Sequence, residues 1–171
     1  MRSVRTIVAG ATVALFVLGA SRVAVAHEIG QTQVTATISQ NGRYQLDVVV
    51  DPDVLLTKLL VRNRQTPQAA PERMERDRRI AALGSTFVDA VQLTFEGITV
   101  QPQFRYLPAS ALTDFAAAPS VVRLTGAVPA GAQTLRFAYG LAMGAYALNL
   151  RLGDSPQQTF WIDGQIGRAH V

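Results

Sequence analysis

The chain has no cysteine, so it can hold neither a disulfide framework nor a thiolate metal site. It has two histidines, His27 and His170, one at each end of the chain, so an imidazole metal cluster and a serine–histidine–aspartate arrangement both lack a credible histidine. It also lacks a Gly-x-Ser-x-Gly elbow, a phosphate-cradling glycine loop and a dinucleotide fingerprint. No uncharged apolar run reaches the ~20 residues a membrane-spanning helix needs. The longest, Ile7 to Ala20, follows Arg2 and Arg5 and precedes the small residues of Ala24-Val25-Ala26. That order reads as a secretory signal peptide over residues 1–26, cleaved before His27. It predicts export to the periplasm.

The other end of the chain also stands apart. Ile166 to Val171 shows no strand, helix or turn logic. It is the translation of ATC GGA AGA GCA CAC GTC, a string used in short-read sequencing adapters. Residues 166–171 are therefore expected to be a non-native tail, with the native chain continuing past Gln165. The 16 basic residues exceed the 12 acidic ones. Setting aside Arg2, Arg5, Arg22 and Arg168 leaves 12 of each, so residues 27–165 are neutral and the high isoelectric point gives no reason to expect a nucleic-acid partner.

Between the two ends the dominant signal is alternation. Gln33 to Ser39, Arg43 to Val50, Val91 to Phe95, Ile98 to Tyr106, Val121 to Ala127, Thr134 to Tyr139, Tyr146 to Leu152 and Thr159 to Ile162 read as strands. Successive side chains of a strand point to opposite faces, so each buries one set and wets the other. Turn residues separate them, including Gln40-Asn41-Gly42, Glu96-Gly97 and Pro129-Ala130-Gly131. Two helices interrupt the series. Asp51 caps one from Pro52 to about Leu60, with Leu55, Leu56, Leu59 and Leu60 at helical spacing. Pro71 opens a second, to about Ala90, with Ile80, Leu83, Phe87 and Val91 as its apolar stripe and Gly84 as a weak point. Arg73, Arg76, Arg78 and Arg79, interleaved with Glu75 and Asp77, form its expected solvated side. The predicted fold is mostly β: an antiparallel β-sandwich over residues 27–165 with a two-helix insertion, preceded by the signal peptide.

Few residues offer chemistry. Cleavage would place His27 at the amino terminus, where its α-amine and imidazole could ligate a metal, but the second histidine such a site needs is only His170. Asp47, Asp51 and Asp53 cluster without the glycine-bearing loop of a hard-cation site. No catalytic residue and no cofactor is assigned. Tyr146 and Trp161 are the candidate interface aromatics.

The Ala26-His27 junction, Tyr146 to Arg151 (YALNLR) and Gln158 to Gly164 (QTFWIDG) resemble the extracytoplasmic N-terminal part of HupE/UreJ-type membrane proteins. The resemblance implies a soluble β-rich domain ahead of a transmembrane bundle, in a family linked in part to nickel or cobalt uptake. The histidine-bearing membrane motif of that family has no counterpart here. A non-catalytic interaction or assembly role follows, with the missing C-terminal transmembrane segment or a membrane protein as partner. The alternative is a free periplasmic module for a metal or small ligand.

Overall fold

The computed structural model describes residues 32–70, 72–109, 119–163 and the backbone of 166–170. The expected signal peptide, His27 and Pro71 lie outside these residues. Strands outnumber helices and the protein is mostly β, with two sheets.

Strands β1 (Gln33–Ser39) and β2 (Arg43–Val50) form the expected hairpin. Gly42, at φ +72°, closes a three-residue loop by donating its N–H to the Ser39 carbonyl at 3.1 Å. Glycine enters this left-handed region without the clash of a β-carbon. Helix α1 (Pro52–Arg62) begins as its sequence predicts, because an Asp51 carboxylate oxygen accepts the Asp53 and Val54 N–H groups at 2.9 and 3.0 Å. Such a cap contributes about 1 kcal/mol. Leu55, Leu56, Leu59 and Leu60 are all buried.

The expected second helix is in fact two, α2 (Arg73–Ala82) and α3 (Gly84–Val88), broken at Leu83. The break lets Gly84 pass beneath the Phe104 ring. The return expected from Ile98 to Tyr106 is likewise split. After β3 (Val91–Phe95), strand β4 (Ile98–Thr99) pairs briefly with it, and β5 (Gln103–Leu107) joins the other sheet. Pro102 lies between them, buried and unable to donate to a ladder. The remaining strands are β6 (Ser120–Ala127), β7 (Thr134–Tyr139), β8 (Tyr146–Leu152), β9 (Gln158–Ile162) and β10 (Ile166–His170).

One sheet runs β5-β6-β2-β1-β8-β9 and the other β10-β7-β3-β4. Pairing is antiparallel except between β1 and β8, which run parallel with Val34 opposite Leu148. The expected all-antiparallel arrangement is corrected at this pair. The reading of residues 166–171 as devoid of strand logic is corrected too, because Ile166–His170 pairs with β7. Ladder hydrogen bonds are made by the main chain, so an open edge accepts a segment with little side-chain pattern.

Both sheets contribute to one core. Tyr44 of β2 meets Phe95 of β3 at 5.5 Å between ring centroids, and Phe137 of β7 meets Tyr146 of β8 at 6.2 Å, edge to face. Phe87 of α3 touches Phe104 of β5 and Tyr139 of β7, each at 5.6 Å, and so ties the helices to both sheets. Each of these rings is worth roughly 1.5–3 kcal/mol by burial.

Candidate functional site

The six-stranded sheet turns one face to the core and leaves the other outward. The strand register arranges the outward residues in rows across the sheet. One row contains Leu107, Val121, Val49, Gln33, Ala147 and Trp161. The next contains Arg105, Arg123, Asp47, Thr35, Asn149 and Thr159. A third contains Gln103, Thr125, Gln45, Thr37 and Arg151. The face therefore passes from a largely apolar margin to polar and basic rows.

Two contacts organise the middle row. Arg123 straddles the Asp47 carboxylate, its Nε and Nη2 each donating at 2.8 Å. The hydrogen bond with Asp47 holds the Arg123 guanidinium even more firmly charged than usual. Thr159 donates its hydroxyl to Asn149 Oδ1 at 2.7 Å. Asn149, although on the outward face, is buried because β1 and β9 flank its strand.

The two candidate aromatics part company. Trp161 is 67% exposed on the edge strand β9, whereas Tyr146 is fully buried. Register is the cause: Trp161 pairs with Ala147 and Tyr146 with Ile162, so the pleat sends the two rings to opposite faces. Tyr146 is thus a core residue rather than a surface contact, and burial pushes its phenol up to about 12.

A second polar assembly lies between the helices and the sheet. Arg76, expected on the solvated side, is buried. Its Nη1 donates to Asp53 at 3.1 Å and its Nε to Asp77 at 3.2 Å. Tyr106 donates its hydroxyl to the same Asp77 oxygen at 2.9 Å and lies 3.0 Å from Ser120 Oγ, which accepts the Ala109 N–H. A carboxylate only accepts, so the phenolic proton belongs to the Asp77 contact and the Ser120 hydroxyl turns toward Tyr106. Burial pushes the Tyr106 phenol up to about 12, and Asp77 adds to the shift. Burial opposes the charge of Arg76, but Asp77 and Asp53 more than restore it. The neutral phenol and charged guanidinium are held by their neighbours, which suits a clamp joining α1, α2, β5 and β6. Arg76 was legible in principle: it stands four residues before Ile80, on the apolar stripe of its helix.

The clustered aspartates serve separate tasks: Asp47 on Arg123, Asp51 at the helix cap and Asp53 on Arg76. Among the described residues no group of three or more histidine, cysteine or acidic side chains is placed to hold a metal. An open hollow of about 540 Å³ lies beside Ile38, Gln40, Leu152 and Asp154. Gln40 reaches Asp154 there at only 3.4 Å, a loose contact at an exposed turn.

No family model matches the chain, and no curated protein matches it.

Proposed function

We propose that residues 27–165 form an exported β-sandwich that serves as the extracytoplasmic interaction and assembly part of a HupE/UreJ-like multi-pass membrane protein. The observation that carries this reading is Trp161, the chain's single tryptophan, standing exposed on an edge strand at the apolar margin of an open sheet face. A large amphipathic ring left in water at such a place suits contact with a further element. The ring contacts between the two sheets support the sandwich. The signal-like residues 1–26 support export, and the adapter-like residues 166–171 support a native chain that runs on past Gln165.

The DNA beyond codon 165 tests the proposal directly. The expected result is an open reading frame encoding several apolar segments of ~20 residues. A native stop codon after Val171 would sink the reading of the tail, and a genuine stop near Gly164 would favour a free periplasmic ligand-binding module. Cell fractionation is the second arm, with the chain expected outside the cytoplasm.

A further inference from the structure

We infer that the apolar margin and adjoining arginine row of the six-stranded sheet dock on the surface of an anionic phospholipid bilayer. This rests on the reading of the domain as one that works at the outer side of a membrane, and it names what the outward face, on which Trp161 is exposed and Leu107, Val121, Val49 and Ala147 are half-buried, meets there.

The order of the rows carries the inference. Trp161, Ala147, Val49, Val121 and Leu107 lie in one line across the sheet, broken only by Gln33. Strand spacing makes that line roughly 24 Å long. Met143, 88% exposed in the turn before β8, stands at the same end of that strand. One step back along the strands, roughly 7 Å, come Arg105 and Arg123; one step further comes Arg151. An apolar line with arginines in the two polar rows behind it matches a bilayer interface, where acyl chains lie just beneath a plane of phosphates. Tryptophan belongs at that boundary, and arginine reaches phosphate with paired donors.

Charge on the face is one-sided. Among the paired strand residues of this face, Arg43, Arg105, Arg123 and Arg151 point outward with Asp47 as the sole acid, although residues 27–165 are neutral overall. Asp47 is already engaged by Arg123. Arg105 stands exposed directly opposite Arg123, a like-charge pairing across β5 and β6 that costs stability in the free protein and is relieved by an anion. A protein strand would add to a sheet edge and a helix would need a groove. A pleated margin backed by arginines fits a plane instead.

The test uses the chain recovered from the exported fraction, mixed with phosphatidylcholine vesicles with or without phosphatidylglycerol. Binding is read by co-sedimentation and by Trp161 emission, which reports this margin alone because the chain has no other tryptophan. The expected result is binding to phosphatidylglycerol vesicles only, a blue shift of Trp161 and weakening by added salt. Arg105→Gln should lower partitioning about fivefold, whereas Arg43→Gln, at the far end of the same face, should leave it nearly unchanged. Trp161→Ser should weaken co-sedimentation as well. Equal binding to neutral vesicles, no shift in Trp161 emission, or equal loss from Arg43→Gln and Arg105→Gln overturns the inference. Absence from the exported fraction would instead defeat the functional reading beneath it, so the two failures are distinguishable.

Discussion

Gly84 lies so close to Phe104 that a β-carbon on it would fall 2.6 Å from ring atom Cδ1 and 2.9 Å from Cε1. Phe104 cannot swing aside freely, because its ring packs on the fully buried Phe87. Gly84→Ala therefore sets two effects against each other. Alanine favours helix by about 1 kcal/mol, while overpacking costs about 1–3 kcal/mol. The second should win, and the urea midpoint should fall. Gly144→Ala, which meets nothing within 4 Å, should change stability by less than about 0.5 kcal/mol. A stabilised Gly84→Ala variant would show that the helix break is not held by this contact.

The pairing of Asp47 with Arg123 matters partly because of its neighbour Arg105. Both partners of the pair are partly exposed, at 24% and 35%, so the bridge itself contributes no more than about 1 kcal/mol. Asp47→Asn leaves two guanidinium groups opposite one another across β5 and β6. It should destabilise by about 1 kcal/mol, and adding Arg105→Gln should recover part of that loss. Salt should narrow the gap between Asp47→Asn and the parent chain. Chemical denaturation of the parent, Asp47→Asn, Arg105→Gln and the double variant at two salt concentrations checks this.

Arg76 and Tyr106 share one oxygen of Asp77. Arg76→Met should cost about 2 kcal/mol, below the range for a wholly buried pair because the Asp53 side chain is 66% exposed. Tyr106→Phe should cost about 1 kcal/mol for the lost hydrogen bond. The double variant should lose less than the two combined, since either change alone already weakens what Asp77 holds. Strict additivity in urea unfolding would show that the shared oxygen does not couple the two groups.

What could be read from the sequence follows the reach of each signal. The β1–β2 hairpin, the Asp51 cap and the leucine face of α1 depend on residues a few places apart, and all appear where expected. The parallel pairing of β1 with β8 joins segments more than a hundred residues apart, and no local pattern encodes it. At Arg76 helical position outweighs charge: its side chain lies on the buried stripe and finds two carboxylates there. Tyr146 and Trp161 looked equivalent because alternation within each strand is visible, but the register between β8 and β9 is not.

The last prediction concerns alkaline pH and involves all four tyrosines. Burial raises the phenol of each above its ordinary value of 10.0: Tyr44 is shifted upward, Tyr106 and Tyr146 reach about 12, and Tyr139 moves furthest. A phenol whose folded pKa exceeds its unfolded one keeps its proton more tightly in the native state. Its contribution to stability is complete below the unfolded value and is lost as pH rises through the folded value. The window thus opens near pH 10 and extends to about 12 for Tyr106 and Tyr146. Stability should be nearly flat on the neutral side of that window and fall steeply within it. Tyrosinate absorbance should stay low near pH 10 and then rise in one cooperative step that coincides with loss of the circular dichroism signal. The same absorbance in denaturant should titrate gradually around 10. A native protein that ionised even one phenol near pH 10 without unfolding would place that ring nearer to water than the packing of this core allows.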